Sequence, residues 1–177
     1  MATIIKNGQL VQDNWKRLDA VADGVPPAVP AEGDLIVPLA VWQREREQLL
    51  ARQARVGIWL QSNEGPEAIA GDLEHFGVIA IHFPKFTDGR GYSSARLLRE
   101  RYRYRGELRA IGEVLQDQLV YLSRCGFDAF ALKEGRDPQA ALAAFATFSE
   151  AYQAAVDRPW PLFRRREAVL RDGRESH

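Results

Sequence analysis

The chemically densest stretch of the chain reads Lys85-Phe86-Thr87-Asp88-Gly89-Arg90-Gly91-Tyr92-Ser93. Its residue types suit the holding of a small anion. Gly89 and Gly91 let the backbone come close to a ligand. Lys85 and Arg90 bring positive charge. Free N–H groups at the start of a helix beginning near Tyr92 and Ser93 would complete a site for sulfate, sulfite, phosphate or carboxylate. Asp88 would then be placed to handle a proton. The competing reading is a structural turn, with Asp88 folded back on the backbone and Arg90 paired to a local acid. Neither a Walker pattern nor G-x-G-x-x-G is present, so the stretch is no nucleotide loop by motif.

A basic cluster follows. Arg96, Arg99 and Arg103 fall at helical spacing from Tyr92, as a solvated face or as a docking surface for an anionic partner protein. Arg90 to Arg109 holds seven arginines against Glu100 and Glu107, a local cation field. The whole chain still has a formal net charge of zero, which weighs against nucleic acid as a ligand. Glu113 and Asp117 stand four apart, the spacing that puts two carboxylates on one helix face. Asp117, beside Gln118, is therefore a second candidate for acid–base work, although such pairs are more often solvated. Arg124-Cys125-Gly126 puts the single thiol at a helix C-terminus, where the dipole disfavours a thiolate, so Cys125 reads as a packed small hydrophobe. His75 and His82 lack cysteine or carboxylate neighbours at metal-ligand spacing. With one cysteine and no flavin or haem-attachment motif, neither metal nor cofactor is expected.

These groups need elements to position them. Asn7-Gly8 between two short apolar runs is a strong hairpin signal, and Trp15 reads as its packing anchor. Residues 19–33 carry three prolines and two glycines and read as a linker. Strands are predicted over 35–39, 56–60, 78–83, 107–111 and 127–132. Helices are predicted over 41–54, 66–76 with Gly77 as cap, 92–102, 114–124 with Gly126 as cap, and 137–152. The expected organisation is a hairpin and linker over 1–33, an α/β domain over 34–156 and a C-terminal extension over 157–177.

Repeated βα units predict a parallel sheet of about five strands with right-handed crossovers. Five units fall short of the eight of a closed barrel, which favours an open sheet; the alternative is a partial (β/α) barrel. His82 and Arg109 pull toward the alternative. Central strands covered on both faces read as continuous apolar runs, and these two residues interrupt them. Either they lie near strand ends in water, or their face is a barrel-like cavity, or a partner covers it.

The runs F-P-K-F-T-D-G-R-G-Y-S-S-A-R-L-L-R-E-R-Y, G-E-L-R-A-I-G-E-V-L-Q-D-Q-L and R-C-G-F-D-A-F resemble a bacterial family, domain-of-unknown-function family 934. The resemblance spans roughly 34–152 and is strongest over 83–130. Genes of that family commonly lie beside the sulfite reductase haemoprotein gene, and its members are often labelled oxidoreductases. The resemblance therefore implies a role in sulfur assimilation and cysteine biosynthesis, with the haemoprotein as partner. It supplies no established catalytic residues; function is expected at the motif positions Asp88, Gly89, Arg90, Tyr92, Ser93, Arg96, Arg109, Asp117, Gln118, Arg124 and Gly126. The chain departs from the pattern at Arg103, where glycine is expected before Tyr104. Two functions stand side by side. One is an accessory or docking protein for assimilatory sulfite reduction that supports electron delivery. The other is a sulfur-metabolism enzyme or binding protein with an anion site at the 85–93 turn. No apolar run is long enough to span a membrane and no leader pattern is evident, so the cytoplasm is the expected location.

Overall fold

In the computed structural model, which describes residues 2–20, 27–85 and 87–148, the Asn7-Gly8 turn is built as its residue types require. Both residues have positive φ, 50° and 74°, the hand that matches the twist of paired strands. Around it β1 (Ala2–Lys6) pairs antiparallel with β2 (Gln9–Asp13). Six further strands follow: β3 (Lys16–Arg17), β4 (Leu35–Pro38), β5 (Val56–Leu60), β6 (Phe76–Phe83), β7 (Glu107–Gly112) and β8 (Ala129–Phe130). Consecutive members of this series pair in parallel, and β1 pairs antiparallel with β8. The result is one sheet of order β2-β1-β8-β7-β6-β5-β4-β3. The expected count of about five strands is thus too low. The hairpin joins the sheet, and β3 is too short to leave a pattern in the sequence.

The sheet is an open curl, a half-barrel, and chain connectivity shows why it must bend. β2 and β3 are its opposite edges, yet only Asn14 and Trp15 lie between them. Laid flat, eight strands at about 4.8 Å spacing would hold those edges about 34 Å apart. The three Cα steps from Asp13 to Lys16 reach at most about 11 Å. The edges must therefore approach each other at that point, although β2 and β3 do not pair. The partial barrel, to which His82 and Arg109 pointed, replaces the open sheet covered on both faces.

Strand alternation sorts the side chains of this curl. Leu35, Val37, Ile58, Leu60, Ile79, Ile81, Leu108 and Phe130 face outward into the main core, with Trp42, Leu98, Leu122 and Ala141 from the helical layer. Ile36, Trp59, Val78, Ala80 and Ile111 form a smaller apolar set on the other face, joined by Trp15. Both faces carry buried apolar side chains, which accounts for the nearly continuous apolar runs.

The helical layer departs from expectation at two places. α1 (Leu39–Leu50), α3 (Leu119–Arg124, after a 3₁₀ turn at Gln116–Gln118) and α4 (Pro138–Phe148) lie near their predicted positions. The Asp137 carboxylate accepts from Gln139 N–H at 2.9 Å at the start of α4. No α-helix forms over 66–76. Two 3₁₀ turns, Pro66–Ile69 and Leu73–His75, replace it, with the poor helix former Gly71 between them. β6 then starts at Phe76, so Gly77 is a strand residue rather than a cap. A Cβ there would stand 3.1 Å from the Trp15 ring. The second departure follows α2 (Arg90–Arg96), which widens into a π turn at Leu97–Arg101. The predicted helix over 137–152 is seen to Phe148; its end and the extension over 157–177 lie outside the described residues.

Candidate functional site

The loops at the carboxyl ends of β5 to β8 carry the predicted anion turn. Its centre is a clasp. Arg90 Nε donates to Asp88 Oδ1 at 3.0 Å and Nη2 to Asp88 Oδ2 at 2.7 Å, while Nη2 also donates to Ser62 Oγ at 3.0 Å. Arg90 N–H donates to Asp88 Oδ1 at 3.2 Å as well. The loop after β6 is thereby tied to the loop after β5. The Arg90 hydrogen bond, and next the Ser62 hydroxyl, hold the Asp88 carboxyl well below the usual carboxylate range. A carboxylate held ionised in this way suits a fixed strut better than a proton shuttle. Lys85 and Ser93 are exposed, and Gly89 leads into α2.

Tyr92 turns inward from α2. Its ring lies 5.3 Å from Phe83 and 4.9 Å from Tyr121, and its hydroxyl accepts from Gln118 Nε2 at 3.3 Å. Burial pushes the phenol pKa up. The Gln118 carbonyl accepts from Leu115 N–H at 3.1 Å, closing the 3₁₀ turn. Asp117 is exposed on that turn. Glu113 precedes it, at the exit of β7, and pairs with Lys133 at 2.7 Å. These two carboxylates therefore do not share a helix face.

Inside the curl, His82 shares a face with Val78 and Ala80, its ring 5.8 Å from Trp59. Its Nδ1 is buried with no hydrogen-bond partner. Burial, then the charge of Arg17, lowers its pKa below the ordinary 6.5. Gly112, at φ 93°, leaves the room: a Cβ there would stand 2.5 Å from Phe83 O and 2.8 Å from His82 Cδ2. Deeper in the same face lies Arg109, 3% exposed. Its guanidinium donates to Glu107 Oε1 at 2.7 Å and to Asp13 Oδ2 at 2.8 Å, and Glu107 in turn meets Lys6 Nζ at 2.7 Å. Four charges of alternating sign thus run across β1, β7 and β2. Such pairing is what makes a buried guanidinium tolerable.

At the opposite end, before β7 and β8, the basic run takes shape. Arg99 is a clamp. Its Nε donates to Gly126 O, Nη1 to Tyr104 O and Gly106 O, each at 2.9 Å, and Nη2 to Asp128 Oδ2 at 3.0 Å. Arg96 and Arg124 are half-buried, and Cys125 is buried. The even stripe of Arg96, Arg99 and Arg103 is therefore not what the fold presents: the π turn redirects the segment and Arg103 lies beyond it. Arg103 has φ 58°, the left-handed region glycine favours. Tyr104 is buried, its hydroxyl donating to Phe76 O at 3.0 Å, while Arg101, Arg103 and Arg105 on either side are exposed. A cavity of about 620 Å³ is lined by Arg103 and Arg105 and by Phe127, Phe130 and Phe145, with Arg99, Glu100 and Asp128. Sequence reasoning missed Arg105 and this cavity. The alternation Arg103-Tyr104-Arg105 was the available signal.

Among the described residues no group of three or more His, Cys, Asp or Glu is placed to hold a metal, and no helix is long and apolar enough to cross a membrane. A family model described as a bacterial protein of unknown function (DUF934) matches residues 57–163, from β5 to beyond α4. No curated protein and no solved structure matches the chain.

Proposed function

The chain belongs to the DUF934 family, and from that premise we propose that it is a docking protein for assimilatory sulfite reduction, serving electron delivery to the haemoprotein by orienting partners. The sulfite-reduction context rests on the family resemblance. Docking is supported by one observation: Arg101, Arg103 and Arg105 are exposed on a segment that Arg99 anchors through three carbonyls and Asp128. Arg103 and Arg105 have no acidic partner among the described residues. Exposed arginines on a fixed backbone steer and orient an acidic partner at little cost in ordering. A small-anion site at the 85–93 turn draws on less, since Arg90 is committed to Asp88 and Ser62.

The test is capture of purified sulfite reductase haemoprotein by the tagged chain. Capture is expected at low salt, weakening as salt rises and lost in the double variant Arg103→Glu, Arg105→Glu. No capture at low salt with both proteins folded would overturn the reading. Calorimetry with sulfite addresses the small-anion alternative: heat lost on Arg90→Ala would favour that site over docking.

A further inference from the structure

We propose that the cavity before β7 and β8 receives an acidic peptide segment carrying an apolar residue, supplied by the docking partner; this rests on the docking reading above and names the chemistry of what docks. The cavity's lining is of two kinds. Arg99, Arg103 and Arg105 line it against Glu100 and Asp128, and Phe127, Phe130 and Phe145 line it too. Phe127 and Phe130 are nearly fully buried, and the Phe145 ring lies 5.9 Å from that of Phe130. At about 620 Å³, the half-open cavity has the volume of sites that hold a ligand group.

The local backbone fixes this geometry. Tyr104 is held inside by its hydroxyl bond to Phe76 O. Arg99 grips the carbonyls of Tyr104, Gly106 and Gly126. The cations flanking Tyr104 are thus presented on a pinned segment. A bound carboxylate would gain charge-assisted hydrogen bonds from guanidinium groups that have no acidic partner among the described residues. An apolar side chain between such carboxylates would meet Phe145, the partly exposed ring of the lining. A bare inorganic anion would use only the guanidinium groups, and an uncharged apolar group only that ring. The acidic segment with an apolar anchor is the class that uses both.

The experiment is fluorescence anisotropy with a labelled peptide, Glu-Asp-Phe-Glu-Leu-Asp. A second peptide replaces its Phe and Leu by Ser, and a third replaces its acids by Lys. The full chain should bind the first, bind the second at least about tenfold more weakly, and ignore the third. Arg103→Glu with Arg105→Glu should weaken the first by at least about tenfold, while Arg44→Glu on exposed α1 leaves it unchanged. The serine peptide tests the apolar contact without altering the protein, so a Phe145→Ala variant that fails to fold does not blunt the test. Equal binding of the first two peptides, with displacement by pyrophosphate, means a small-anion site only and overturns the proposal; so does absence of binding. Peptide binding without capture of sulfite reductase would support the cavity and sink the partner. Capture lost in the arginine variant with no peptide binding would do the reverse.

Discussion

His82 and Arg103 are each held in a state their chemistry resists. The His82 imidazole is kept neutral by burial and by Arg17, its pKa below the ordinary 6.5. The unfolded chain then binds a proton more readily than the folded one, so stability rises with pH across that window. It is fully present above about pH 6.5 and is lost as pH falls toward the lowered folded value. Denaturation between pH 7.5 and 5.5 should show this decline, and His82→Gln should flatten it. An imidazole NMR titration midpoint at or above 6.5 would contradict the assignment. Arg103 holds φ 58° at a cost of about 1 kcal/mol relative to glycine. Arg103→Gly should raise Tm by about 2–4 °C while weakening capture of an acidic partner. A gain in stability with a loss of binding is what a residue kept for function shows.

At the scale of elements, the basic segment separates what the sequence revealed from what it hid. The strands were legible because apolar runs with β-branched residues mark them, and the Asn7-Gly8 turn because few residue types tolerate its φ values. Helical spacing from Tyr92 predicted one basic stripe, but the π turn at Leu97–Arg101 breaks that spacing. No local propensity signals such a turn, since what holds it is tertiary. Arg99 reaches carbonyls seven and twenty-seven residues away in the chain. Of the anion turn, the sequence located the loop but could not choose between a ligand and a local acid as the partner of Arg90; the structure pairs it with Asp88, and with Ser62 besides. Arg99→Ala should cost about 3 kcal/mol, because it strips a donor from three carbonyls and leaves the half-buried Asp128 with Leu108 N–H but without its cation. Arg99→Lys should recover less than half, a single ammonium being unable to serve four acceptors in a fork. Burial already raises the Asp128 pKa, and losing Arg99 raises it further. Its protonation relieves the variant, so the Arg99→Ala deficit measured by urea unfolding should be smaller at pH 5 than at pH 8.

For the whole molecule, the open question is what holds the two edges of the curl near each other. One answer is the short tether of Asn14 and Trp15 itself. The other is packing across the interior: Trp15 against Gly77, the Arg109–Asp13 pair at 2.8 Å, and Trp59 Nε1 donating to Leu18 O at 2.9 Å. Magnitudes separate them. Four glycines inserted between Asn14 and Trp15 triple the link, at a loop-closure cost of about 1 kcal/mol. Trp15→Ala removes a half-buried indole and its cation–π contact with the Arg55 guanidinium, 4.8 Å from its ring centre, and should cost about 2–3 kcal/mol. Asp13→Ala leaves a guanidinium that is 3% exposed with Glu107 as its one acid among the described residues, and should cost at least as much. If packing holds the curl, the insertion is the mildest of the three in guanidinium unfolding, and its m-value matches that of the parent chain. If the tether holds it, the insertion is the most damaging and the m-value falls, because a sheet that relaxes open has less surface left to expose.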